Sequence, residues 1–286
     1  LNKQDIMLAI MNVEEFPTLP QVISKVIEIC GNSESTVDDL AKVVSRDQSI
    51  ASRILKLANS AYYGYLRKVN TIPKAVNILG FDTIRSLAIS ASVFDTFKKI
   101  RSNYNFDRCQ FWIHSIGVGT ISKLIARQIN KVDVEVAFLN GLLHDVGKLF
   151  FESFYPTQFE DIMKEVTVNR CSIYEAEQKV FGITHSEVGG LLTDRWKFPP
   201  ELVYPIEFHH DLEQCPPQYL MLAAIVSVAD SICRRHNIGS GGDCILPEIN
   251  PLAASILSLN QSNIDQLIEQ TSGERENIFT FMAIMD

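Results

Sequence analysis

The chain predicts an all-α fold, with a helical bundle in its second half preceded by a smaller N-terminal helical bundle. Three observations carry this expectation. Apolar residues recur at spacings near three and four along almost every segment. Residues that cap and stop helices punctuate those segments at the matching places. No alternating apolar and polar run ends in a hairpin turn, so a sheet is not expected.

Taken in order, Pro20 opens a helix carrying Val22, Val26, Ile27 and Cys30, with Gly31 as its stop. Ser35 or Thr36 caps a short helix containing Leu40, Val43 and Val44. Asp47 caps the next, whose apolar positions are Ile50, Ile54, Leu55 and Leu57. Thr71, ahead of Ile72-Pro73, opens another that Gly80 closes, and Asp82 caps a helix through Leu87, Ile89, Val93 and Phe94. The polar stretch from Lys98 to Asp107 then divides the chain. Three parts result: an N-terminal helical subdomain over 1–100, a second helical subdomain over 101–240, and a linker with a helical tail over 241–286.

Longer helices follow the divide, from Arg108 to Ile129 and from Val134 to about Tyr155. Further helices cover Thr157 to Val168, Ser172 to Phe181, His185 to Trp196, Pro200 to His210 and Tyr219 to His236. Gly239-Ser240-Gly241-Gly242 lacks the preceding strand and the lysine of a phosphate cradle, which leaves the reading of a flexible linker. Pro251 to Asp286 reads as one or two amphipathic helices.

With 286 residues, 46% hydrophobic and 21% charged, the chain has material for a sizeable core. A net charge of -8 and a pI near 5.3 argue against general binding to nucleic acid or anionic membrane. Lys98, Lys99 and Arg101, and Arg234 with Arg235, read as solvated helix ends whose cations complement the dipole. Cys30, Cys109, Cys171, Cys215, Cys233 and Cys244 form no CxxC pair, so buried thiols in a reducing cytoplasm are expected. No apolar run reaches the ~18 residues that a spanning helix needs, and the N-terminus lacks a signal-peptide pattern. The expectation is a soluble, cytoplasmic protein.

Five of the six histidines, with two acids, form a candidate metal-ligand set: His114, His144 beside Asp145, His185, His209-His210 and Asp230. Each falls in or at the edge of a predicted helix, so one bundle could bring them together. Singly, most read as ordinary polar residues; His114 alone would be a core histidine with a satisfied hydrogen bond. Asp230 is harder to dismiss, because a carboxylate among Ile225, Val226, Val228 and Ile232 is costly unless paired or bound to a metal. Lys148 lies four residues after His144 and three after Asp145, on the same helix side, where it could hold a phosphate oxygen. One or two divalent transition ions are expected, with Fe, Mn or Ni ahead of Zn for an imidazole-rich, carboxylate-bridged set.

The order His, His-Asp, Asp resembles the metal signature of the HD superfamily of phosphohydrolases. The whole chain resembles the HDOD family of bacterial signalling proteins. The first half carries that likeness in Leu57-Ala58-Asn59-Ser60-Ala61-Tyr62-Tyr63-Gly64 and Ala75-Val76-Asn77-Ile78-Leu79-Gly80. The second carries it in Gly141 to Leu149, Thr184-His185-Ser186-Glu187-Val188-Gly189, Arg195-Trp196 and Phe208-His209-His210-Asp211. The resemblance covers roughly residues 15 to 240. It implies an HD-like helical bundle in which His114, His144, Asp145 and Asp230 hold one metal. Asp145 would bridge to a second, held by His185, His209 and His210 as in HD-GYP phosphodiesterases. The Gly-Tyr-Pro motif is missing; Leu212-Glu213-Gln214-Cys215-Pro216-Pro217 stands in its place.

Two functions follow as expectations. The first is a signalling or regulatory module with an intact HD-type metal site, its N-terminal bundle contacting a signalling protein partner through the aromatics of Asn59 to Tyr63. The second is a metal-dependent phosphohydrolase acting on a nucleotide or cyclic dinucleotide, with Asp145 and Lys148 as catalytic groups. A ligandless helical scaffold is a third reading.

Overall fold

The computed structural model describes residues 3–12, 19–30, 35–60, 62–65, 67–100 and 106–286. Among them there is no strand. The helices run α1 (Lys3–Asn12), α2 (Gln21–Cys30), α3 (Val37–Val44), α4 (Gln48–Ala58), α5 (Ile72–Leu79) and α6 (Phe81–Lys98). They continue with α7 (Arg108–Ile129), α8 (Val134–Leu143), α9 (Val146–Phe154), α10 (Pro156–Asn169), α11 (Ile173–Val180) and α12 (His185–Arg195). α13 (Pro200–Phe208), a 3-10 turn at Leu212–Gln214, α14 (Leu220–Arg235), α15 (Pro251–Ile256) and α16 (Gln261–Met285) complete the chain. These form two compact units, one drawn from residues 17–99 and 274–286 and the other from 1–16 and 100–273. The tail of 241–286 is thus shared between the units. No described helix is long and apolar enough to cross a membrane.

In the smaller unit the caps follow local chemistry. Thr36 closes a capping box with Asp39 on α3, Asp47 accepts from the Ile50 N–H at 3.0 Å, and Thr71 caps α5. Asp82 is not a cap as the sequence suggested. Gly80, at φ +91°, serves as both the end of α5 and the N-cap of α6, which puts Asp82 inside the first turn. The core gathers Ile23, Val26, Leu40, Val44, Ile54, Leu57, Val76, Ile84 and Phe97, all fully or nearly fully buried. Asn59 ties the segment after α4 back onto it: its amide donates to Leu55 O and Val69 O and accepts from the Val69 N–H at 2.8 Å. Tyr62 and Tyr63 are half-buried and meet edge to face, and Tyr62 also packs on Phe281. Ordinary packing therefore accounts for both rings. Gly31, Ala61 and Arg101 lie outside the described residues, as does the Cys30 side chain.

In the larger unit α7 and α8 lie so close that a Cβ at Gly141 would come within 2.7 Å of Val118 O. α14 packs on α7, α8 and α13, while α12 packs on α13 and α9. The single helix expected from Val134 to about Tyr155 is two helices, broken at His144-Asp145. Just after the break, Gly147 lets α9 lie against the first turn of α12: a Cβ there would sit 2.0 Å from His185 O. The cysteines are not uniformly buried. Cys215 and Cys233 are, but Cys109, on the first turn of α7, and Cys244, in the loop before Pro247, are exposed.

Asn59→Ala removes three hydrogen bonds from a surface tie, and at roughly 1 kcal/mol net or less for each it should destabilise the protein by about 1–2 kcal/mol. Urea unfolding should show a lower midpoint with an unchanged slope.

Candidate metal centre

Helix ends deliver five of the seven donors, and helix interiors the other two. His114 projects from the first half of α7 and Asp230 from the middle of α14. His144 and Asp145 occupy the break between α8 and α9, His185 is the first residue of α12, and His209-His210 follow the last residue of α13. All but His210 are buried, with 6% exposure or less. All seven predicted ligands converge. Three groups of donor atoms each lie within 4.8 Å of one another: His114, His144 and Asp230; His144, Asp145 and His209; and His185, His209 and His210.

The separations are those of atoms that could share an ion. Two ligands ~2.1 Å from one ion lie about 3.0 Å apart at right angles and about 3.4 Å apart at a tetrahedral angle. His114 Nε2 is 3.2 Å from Asp230 Oδ1, and His144 Nε2 is 3.3 Å from Asp145 Oδ2. His185 Nε2 is 3.2 Å from Asp145 Oδ1 and 3.1 Å from His210 Nε2. One oxygen of Asp145 thus faces His144, and the other faces His185.

A second layer fixes the imidazoles. The Nδ1–H of His144 donates to Gly141 O at 2.8 Å, and that of His209 donates to Ile206 O at 2.7 Å. Glu177, fully buried on α11, accepts from His185 Nδ1 at 2.6 Å and from the His185 backbone N–H at 2.7 Å. Each contact leaves Nε2 facing the cluster. By hydrogen-bond geometry, His114 Nε2, His144 Nε2, His209 Nε2 and Asp145 Oδ1 are buried without a partner. Buried polar atoms rarely stay unsatisfied, and an imidazole–carboxylate donor set with fixed outer hydrogen bonds is what a divalent transition ion requires. The residues present fit the metal.

Electrostatics agree with the geometry. Burial alone would raise Asp145, but the charges of His144 and Lys148 and the close approach of the His144 and His185 imidazoles hold its carboxyl well below the ordinary range. Burial is likewise outweighed at Asp230, by the close His114 imidazole and the charges of Arg234 and His114. At His185 burial opposes the charge, yet Glu177 prevails and lifts it to about 9. Burial, then the charges of His144 and His185, push His209 down to about 3. Burial and the other two histidines likewise push His210 well below its usual value.

The sequence missed three contributors. Glu177 gave no signal beyond an acid eight residues ahead of a histidine. Arg234 is no solvated helix end: its guanidinium lies 3.4 Å from Asp230 Oδ2 and 3.2 Å from Asp243 Oδ1, and it donates to Ile245 O. The glycine run is no linker. Ser240 N–H donates to Gln110 O at 3.0 Å, Gly239 at φ +65° leaves no room for a Cβ beside His114 N, and Gly241 packs on Asp145, Lys148 and His114. Lys148 is buried and donates to Asp145 Oδ2 at 2.7 Å.

The HDOD domain matches residues 16–212. The chain belongs to the HDOD family. An HDOD domain protein of unknown function from Geobacter sulfurreducens has the same fold, at 25% identity and a TM-score of 0.83 over 99% of both chains. A proposed phosphohydrolase from Shewanella amazonensis is also 25% identical, with a TM-score of 0.78 over 98% of both chains. An uncharacterized protein of Treponema pallidum is 24% identical over 238 residues, or 82% of this chain. The chain spans 46% of that relative's length. The family match ends before Asp230, so the last donor comes from beyond the matched residues.

Metal-free protein should be most stable near pH 6.5. The fold binds a proton at His185 more tightly than the unfolded chain does, so that stabilisation is complete below 6.5 and is lost as pH rises toward 9. His209 works the other way, because the fold refuses a proton that the unfolded chain accepts; stability therefore falls as pH drops from 6.5 toward 3. Thermal melts in chelator from pH 5 to 9.5 check this. A midpoint still climbing between pH 7 and 9 would contradict the His185–Glu177 pairing.

Proposed function

We propose that this chain is a signal-transduction module of the HDOD kind, organised around a divalent-metal centre, whose output is binding to a protein partner. The observation that carries the metal reading is the set of buried Nε2 atoms, three of them oriented by outer hydrogen bonds at Nδ1 and held near carboxylate oxygens. His114, His144, Asp145 and Asp230 would hold one ion. His185, His209 and His210 would hold a second, with one Asp145 oxygen facing each side. Fe, Mn or Ni suits such a set better than Zn. Bound there, such ions would supply Lewis acidity toward a phosphoryl oxygen. Among this chain's own groups, Lys148 supports the Asp145 carboxylate and Glu177 orients His185.

A module is preferred over an enzyme because Gly241 covers the Asp145–Lys148 side of the cluster. A 3-10 turn also occupies Leu212–Gln214, where HD-GYP proteins carry their Gly-Tyr-Pro motif. The second reading is a metal-dependent phosphohydrolase. It is favoured by the complete donor set, by Lys148 beside it, and by likeness to the Shewanella amazonensis protein.

Elemental analysis of purified protein should find one or two transition ions per chain, and Asp145→Ala should remove most of them. Glu177→Gln should weaken metal affinity about 10–100-fold through the outer hydrogen bond. Loaded protein should turn over no member of a phosphoester panel supplied with Fe, Mn, Ni or Zn. Turnover abolished by Asp145→Ala would establish the hydrolase instead, and a protein that takes up no metal would overturn both readings.

A further inference from the structure

The Asp243 carboxylate is held between a lysine, an arginine and a backbone N–H at the edge of the cluster. Its side chain is 6% exposed. Oδ1 accepts from the Ile173 N–H, the first of α11, at 2.8 Å and lies 3.2 Å from Arg234 Nη2. Oδ2 lies 3.7 Å from Lys148 Nζ, which in turn donates to Asp145. Neither cation is free in solvent: Lys148 is 3% and Arg234 13% exposed. Two buried cations and a helix N–H converging on one carboxylate are the donor set that binds phosphate.

The carboxylate arrives on the Gly239–Gly242 loop, which presses on the cluster. A Cβ at Gly241 would lie 3.0 Å from Asp145 Oδ2 and 3.1 Å from Lys148 Nζ, tighter than ordinary contact with two buried groups. The loop's polar ties to the rest of the unit are Ser240 N–H to Gln110 O and those of Asp243 itself, while Gly242 N–H to Ser240 Oγ holds the loop internally.

We propose that Arg234, Lys148 and the Ile173 N–H form a binding subsite for the phosphate of a phosphoester ligand, and that Asp243 fills it as an internal anion until such a ligand displaces the loop. This rests on the reading of the cluster as a phosphoester-facing metal centre and adds the ligand class and the gate. A phosphate carries more negative charge than the carboxylate and can accept from all three donors at once. Asp243→Asn keeps the shape and an acceptor for the Ile173 N–H but removes the competing charge. Gly241→Ala loosens the same loop by bulk.

The test is calorimetric titration of inorganic phosphate into the full chain, in the metal-loaded form and in chelator, with metal content measured on the same samples. Both variants should bind phosphate at least tenfold tighter than the parent in chelator, and adding Arg234→Gln to Asp243→Asn should cancel the gain. In the parent, phosphate should speed amide hydrogen exchange across residues 239–243. Equal phosphate affinity in parent and both variants, or a gain that survives Arg234→Gln, would overturn the proposal. Metal content reports separately: a protein without metal that still shows the gain in chelator keeps the subsite and loses the metal centre.

Discussion

Two carboxylates buried in an apolar bundle impose the constraint around which the larger unit is arranged. Asp145 and Asp230 stand among side chains that are almost wholly enclosed, where an unpaired charge costs several kcal/mol. Around them the fold places Lys148, Arg234, His114, His144 and His185, and beyond these two more acids, Glu177 and Asp243. Four carboxylates then face two permanent cations. The excess is negative, and a divalent ion is the natural complement. Without one, the fold keeps a proton on His185, because Glu177 lifts that imidazole to about 9. Proton and metal compete for the same nitrogen.

The bundle meets this constraint by ending helices at the cluster. Asp145 sits at the N-cap of α9 and His185 at the first position of α12, so the positive ends of both helices point toward the buried carboxylate. His209-His210 follow α13, and there the His209 Nδ1–H satisfies the Ile206 carbonyl that the helix leaves open. Gly147 permits α9 and α12 to approach at that point. Donors on helix ends are held by backbone hydrogen bonds on both sides, which fixes ring orientation better than an exposed loop could.

Much of this was legible in the sequence, and the misses share a cause. Helix phase, the caps at Thr36, Asp47 and Thr71, and the histidine and aspartate set were readable because each depends on local spacing or residue type. The break at His144-Asp145 was not. Val134 to Tyr155 has continuous apolar content, and the partner that packs against the break, the first turn of α12 at Gly147, lies some forty residues on. Arg234 looked solvated because it lies near a helix C-terminus, yet residues 243 and 245 fold back and bury it. The glycine run looked flexible because glycine supplies freedom wherever it occurs. Here its small size is used instead, to bring a backbone against His114 and Asp145.

Closure of that loop and capture of an anion are one electrostatic problem solved twice by the same residues. Asp243 can be buried only because Arg234, Lys148 and the Ile173 N–H meet it. Two of those groups have a second partner as well: Lys148 also meets Asp145, and Arg234 also meets Asp230 and the Ile245 carbonyl. Asp243 itself has no other partners among the described residues, so on the proposal above the loop would leave its seat as another anion takes it or as solvent reaches the site. A phosphate-bearing ligand would therefore convert a local exchange of anions into movement of residues 239–243. The loop is tethered to α7 at Gln110, one turn before His114. If the proposed anion exchange and metal centre hold, that hydrogen bond would link the anion seat to the helix carrying His114, a route by which a ligand-sensing module could couple the two.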